Sequence, residues 1–200
     1  MTTLPAAAFL YILGRHLRTR QPGLFGAGAG AGIVALPLVL AVLFLLRRVL
    51  PNSLEPSLFP LVVIPLLEEG GKLTAVRNAD RRVAPDDLTL LVPLGLLVGC
   101  VFGYLENLFY LWERPGTSLL RGISSLPLHM AATGAAALVL VKRPLWRGMA
   151  TAVALVAATT LHMAHNALWN LRQPMVVLAI VLAWGGLIVT VSLYLRLDSS

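Results

Sequence analysis

The chain has 200 residues, 58% hydrophobic and 12% charged, with a formal net charge of +7. A soluble domain is about half apolar and about a quarter charged. Here the mean hydropathy is +0.81 and the apolar residues gather into runs of about twenty, the length that crosses a bilayer core, which excludes a soluble globular enzyme, a disordered chain and a coiled coil.

In chain order, the first apolar stretch, around Phe9–Leu13, has no basic residue ahead of it and so does not read as a cleaved signal peptide. It is too short to span and is followed by the basic Arg15–Arg20 segment, which predicts a short N-terminal interfacial helix, a seventh span being the alternative. Six long spans follow, over roughly 25–46, 56–77, 88–111, 118–141, 145–169 and 174–195. The fold class is therefore an all-α, polytopic transmembrane helix bundle, with residues 1–200 as a single integral-membrane domain. Its longest connection, near Asn78–Asp87, leaves no room for a soluble domain, so any activity is housed in the membrane.

The Lys and Arg residues cap the apolar runs instead of forming a basic, aromatic-interleaved surface, so the partners are the lipid bilayer and no nucleic acid. Eleven of them (Arg15, Arg18, Arg20, Lys72, Arg77, Arg81, Arg82, Lys142, Arg143, Arg147 and Arg196) fall on one side, and five (Arg47, Arg48, Arg114, Arg121 and Arg172) on the other. The positive-inside rule then predicts both termini in the cytoplasm.

Small residues and prolines forecast the packing. Gly95, Gly99 and Gly103 recur every four residues and form a groove that admits a second helix. Gly26, Gly28, Gly30 and Gly32 act similarly, and Ile33 in place of a glycine excludes a phosphate cradle there. Pro60, Pro65, Pro93 and Pro127 kink their spans or free carbonyls that a partner must satisfy. Cys100, the sole cysteine, reads as a small buried residue and excludes an intrachain disulfide or a thiol-based metal cluster. Trp112, Trp146 and Trp169 read as interfacial anchors, and Glu55 and Glu113 as solvated span ends.

Polar residues at membrane depth carry the function. Glu68, Glu69 and Lys72 lie in the second span, Glu106 and Asn107 in the third, His129 in the fourth, and His162, His165 and Asn166 in the fifth. Each mid-span charge costs roughly 2.5–3.5 kcal/mol on the mildest scale, so these groups must face one another or a water-filled cavity. Counted from the span ends, Glu68, Glu69, Glu106, His129 and His162 all sit between the midplane and the outer leaflet. Glu68 and Lys72 are four apart, which predicts an ion pair. Asn107 and Asn166 read as helix-to-helix hydrogen bonders.

Such a set supports hydrolysis: a buried glutamate as general base on water, and histidines that donate to an oxyanion or hold a metal. Glu106, His129 and His162 are the candidate ligands for a divalent metal such as zinc, with a fourth position open. The rivals are a proton- or ion-coupled carrier using the same groups as a relay, and a non-catalytic helical scaffold. An inverted repeat would mark a carrier, and none is visible.

Four motifs occur in order. Glu68-Glu69-Gly70-Gly71-Lys72 resembles the EExxK signature of the PrsW family of intramembrane proteases, relatives of the CAAX prenyl endopeptidases. Phe102 to Tyr110, with Glu106-Asn107 ahead of an aromatic, resembles that family's second motif. His129 after Leu126-Pro127 is similar to the third, and His162 with Asn166 to the final His-x-x-x-Asn/Asp. His165 with Asn170 offers another register for that last motif, but the helical spacing of four favours His162.

The resemblance covers about 55–172 and implies a helical bundle that cleaves a membrane-anchored, anti-sigma-factor-like protein on its outer side. It carries the essential glutamate pair onto Glu68 and Glu69, with Glu106, His129 and His162 completing the pocket and Lys72, Asn107, His165 and Asn166 in support. Glu69 is the expected water-activating base, and Glu68 the partner of Lys72.

Overall fold

The computed structural model describes residues 3–49, 59–83, 87–113, 118–142, 147–171 and 174–199. Among them seven α-helices form one bundle: α1 (Thr3–Arg20), α2 (Pro22–Val49), α3 (Ile64–Val83), α4 (Leu91–Glu113), α5 (Ser118–Lys142), α6 (Arg147–Asn170) and α7 (Met175–Asp198). Five of these helices are long and apolar enough to cross a membrane, namely α2 and α4 to α7. The chain is thus a multi-pass membrane protein. The exception among the six expected spans is α3, which carries Glu68, Glu69, Lys72 and Arg77. Its entry is a π-helical turn, Phe59–Val63. Pro60 lies within that turn and Pro65 just after it, and a wider helical turn relieves the proline ring's clash with the carbonyl four residues back. At its other end α3 continues through Val83, so much of the expected Asn78–Asp87 connection is helical.

Helices α4 and α5 form the centre. An added Cβ on Gly95 would meet the Thr133 carbonyl oxygen at 2.8 Å, one on Gly99 would overlap the His129 carbonyl, and one on Gly103 would lie 2.8 Å from the His129 ring. The four-residue glycine repeat thus seats α5 against α4 with backbones nearly touching, and delivers His129 to the face of α4 that bears Glu106. On the other side of α4, Gly28 and Gly32 admit Leu94, Leu97 and Val101, whereas Gly26 and Gly30 face open space. Only alternate members of that glycine run take part.

Pro127 lies inside α5 and has no N–H, so the carbonyl of Ile123, four residues earlier, loses its helical donor. The Trp184 indole of α7 donates to that oxygen at 3.0 Å. This is the partner that a mid-span proline requires.

The N-terminal helix is longer than its apolar run. It is 18 residues long and runs alongside α7 in the same direction: Phe9 packs on Trp184, His16 Nε2 is 2.6 Å from the Tyr194 hydroxyl, and Arg20 donates to both Asp198 oxygens at 2.6 and 2.7 Å. A short element lying flat on the bundle end would not make contacts in this progression. The apolar run Phe9–Leu13 is only part of the helix, because Leu13 and Leu17 bury their side chains in the core and extend its apolar stripe into the basic segment. Cys100 is buried and Trp112 strongly exposed, as expected. The expectations for Glu55, Trp146 and the Glu113 side chain lie outside the described residues.

Candidate active site

Glu68, Glu69, Lys72, Glu106, Asn107, His129, His162 and His165 are all buried, and the first seven of these come from α3, α4, α5 and α6 together with His165. A continuous set of short contacts joins most of them. Lys72 Nζ donates to Glu69 Oε1 at 2.6 Å and to His129 Nδ1 at 2.7 Å. Since an ammonium only donates, His129 Nδ1 accepts and its Nε2–H donates to Glu106 Oε2, at 2.7 Å. Glu69 Oε1 also accepts from His162 Nδ1 at 2.7 Å, which turns His162 Nε2 toward Glu68 Oε2, 3.7 Å away. The two imidazoles stand edge to face with centroids 5.0 Å apart.

The i,i+4 spacing predicts a Glu68–Lys72 pair, and the structure corrects this: Lys72 bonds Glu69, three residues back. The physical reason is the third group. An ammonium that also reaches His129 on α5 must turn to the side of α3 that Glu69 shares. Glu69 Oε1 thereby takes two donors, Lys72 and His162, whereas Glu68 Oε2 is buried with no hydrogen-bond partner. Phe102 closes this region, its ring 4.8 Å from Lys72 Nζ and edge-on to His129. An apolar lid of this kind excludes water and strengthens the ion pair it covers.

Three groups the sequence reading does not single out join the site. Arg121 donates to Glu106 Oε1 at 3.1 Å while its guanidinium carbon sits 3.6 Å from the centre of the Tyr110 ring. Ser125 Oγ donates to Glu106 Oε2 at 3.2 Å. Arg121, Ser125 and His129 are spaced by four along α5, so one face supplies three partners to one carboxylate. That spacing is present in the sequence, but Arg121 near a span end resembles any interfacial arginine.

His165 is stacked on Trp169, with Nδ1 3.3 Å from Asn166 Oδ1 and Nε2 unpartnered. It is His162, not His165, that meets the glutamates. Asn107 and Asn166 make no helix-to-helix hydrogen bond among the described residues: Asn107 Oδ1 is buried and unpartnered, and Asn166 bonds its neighbour. An unsatisfied buried polar atom costs about 1–3 kcal/mol. Four of them (Glu68 Oε2, Asn107 Oδ1, Arg121 Nε and His165 Nε2) belong to residues of this one site.

The metal-ligand geometry also shifts. One ligand atom each from Glu68, His129 and His162 lies within 4.8 Å of the others. Glu106, the carboxylate expected in that set, stands behind His129 as its hydrogen-bond acceptor. A buried carboxylate and two imidazoles brought this close could bind a metal ion.

A membrane-embedded bundle whose interior gathers glutamates and histidines has the groups that intramembrane hydrolysis needs. The model of the PrsW family intramembrane metalloprotease matches residues 22–195, and the chain belongs to that family. It is accordingly an intramembrane protease, acting on a membrane protein in a lipid environment. No curated protein and no solved structure shows significant similarity to the chain.

Proposed function

We propose that the chain hydrolyses a peptide bond of a membrane-anchored, anti-sigma-factor-like protein at the Glu68–His129–His162 cluster. The observation that carries this reading is the asymmetry of the glutamate pair, with Glu69 Oε1 held by both Lys72 and His162 and Glu68 Oε2 left unpartnered. A general base needs a free lone pair directed at its water. Glu68 Oε2 is unpartnered beside His162 Nε2, whereas Glu69 is engaged in the ion pair with Lys72, so we assign to Glu68 the role expected for Glu69. Glu69 instead fixes the His162 tautomer, holding Nδ1–H and leaving Nε2 free, as carboxylates behind ligating imidazoles do.

The donor set fits a divalent metal, and Glu68, His129 and His162 would hold it. His129 commits both ring nitrogens, to Lys72 and Glu106, and would join the set through Nδ1 in place of its bond with Lys72. When bound, the ion supplies Lewis-acid polarisation of water and of the scissile carbonyl. Glu68 would offer one carboxylate oxygen to the ion and use the other to take the proton of the attacking water and return it to the leaving amine. Glu106, held by Arg121 and Ser125, keeps His129 in register.

The positive-inside asymmetry supports six crossings by α2–α7, with the C-terminal end cytoplasmic and the site opening outward. Lys72 and Arg121 are site residues and drop out of that count, one from each side, leaving the asymmetry intact. Because α1 runs in the same direction as α7, its first residues point toward the outer face, which favours the seventh-span alternative over an interfacial helix and over a cytoplasmic N-terminus.

The test is cleavage of a reporter transmembrane substrate in proteoliposomes. Glu68→Gln is expected to abolish cleavage while the protein stays folded; cleavage at the wild-type rate would refute the assignment.

A further inference from the structure

Three unpartnered atoms remain beside the hydrolytic cluster and have no part in it: Asn107 Oδ1, Arg121 Nε and His165 Nε2. Their residues adjoin those of the cluster. Arg121 is bonded to Glu106, Asn107 follows Glu106 on α4, and Tyr110, one turn further, lies under the Arg121 guanidinium. His165 lies one helical turn beyond His162, the imidazole that faces both glutamates. Buried polar atoms in native proteins are almost always satisfied, so a group of exceptions next to a reaction centre points to a ligand that satisfies them. At membrane depth, the matching group is a peptide backbone that has left its helix, whose own N–H and C=O groups then lack partners.

We propose that Asn107, Arg121 and His165 form a main-chain-binding subsite that grips the unwound segment of the substrate next to Glu68. The proposal rests on the protease reading and adds what the site selects: a locally broken helix, through its backbone and not its side chains. Asn107 Oδ1 accepts from a substrate N–H, and Arg121 Nε–H donates to a substrate carbonyl.

The probe is a fluorescent polyleucine–alanine helix inserted in lipid nanodiscs, with a Gly-Pro break near its outer end, compared with the unbroken helix. Binding is measured on the full chain carrying Glu68→Gln, so that nothing is cut. The broken helix should bind about ten-fold tighter or more. Asn107→Leu should remove most of that preference, and so should Arg121→Lys, which keeps a charge for Glu106 but lacks Nε–H. Asn107→Leu should leave Tm unchanged or raised, because it deletes an unsatisfied buried atom, whereas a merely structural role would lower Tm and weaken both helices alike.

No preference in the parent protein, or full preference in the Asn107→Leu variant, overturns the proposal, and that variant decides if Arg121→Lys does not fold. Preference that is lost in the variants, combined with no cleavage of the broken helix by the Glu68 protein, would uphold the subsite and sink the protease mechanism instead. Cleavage with an unaltered preference in the variants would do the reverse.

Discussion

Glu68 and Glu69 are adjacent, chemically identical and both buried, yet their surroundings give them opposite parts. Glu69 neutralises a fully buried ammonium; Glu68 has no hydrogen-bond partner on Oε2. Removing one partner of a buried pair leaves an uncompensated charge and costs about 3–5 kcal/mol. Glu69→Gln is therefore expected to lower stability by that order and to lose activity with it. Glu68→Gln should lose activity at equal or greater stability, since it removes an unpartnered carboxylate. Thermal unfolding in detergent beside the cleavage assay separates the two, and equal destabilisation by both would contradict the asymmetry. The sequence reveals that these residues converge, because isolated charges at membrane depth are too costly. It cannot reveal which glutamate meets Lys72: i,i+3 and i,i+4 are both within reach on a helix, and the choice is made by His129, 57 residues further along the chain.

At the scale of helices, close approach is governed by a few positions. Gly99→Ala should force α4 and α5 apart and cost about 1–3 kcal/mol as overpacking does, moving His129 away from Lys72 and lowering activity sharply. Gly30→Ala faces open space and should leave stability unchanged or raise it by up to about 1 kcal/mol through helix propensity. Equal effects at the two positions, read from unfolding midpoints, would count against the glycine seat.

The Pro127 account is tested by a cycle. Trp184→Phe should cost about 1 kcal/mol, and much less in a Pro127→Ala background, where the Ile123 carbonyl regains its helical donor. The α4 repeat and the demand of Pro127 for a partner were both readable from spacing. The identity of that partner was not, because Trp184 comes from a helix 61 residues away. The reach of helix α1 was not readable for a related reason: its apolar run is short, and only packing against the bundle shows how far the helix extends.

For the molecule as a whole, the orientation follows from charge at the span ends. In a Cys100→Ala background, a cysteine at Leu171 should react with a membrane-impermeant reagent from outside, and one at Arg81 only after permeabilisation. The reverse pattern would invert the topology and move the site's opening to the inner face.

The central claim is that Glu68, His129 and His162 form one centre in the bundle interior that can hold a divalent ion. Metal content of the purified chain, after equilibration with zinc and desalting, tests it most directly. The account predicts about one ion per chain in the wild type, following the three-ligand pattern with an open position, and near-complete loss in Glu68→Gln and in His162→Gln. An equal metal content in all three proteins, or none in the wild type, would contradict it.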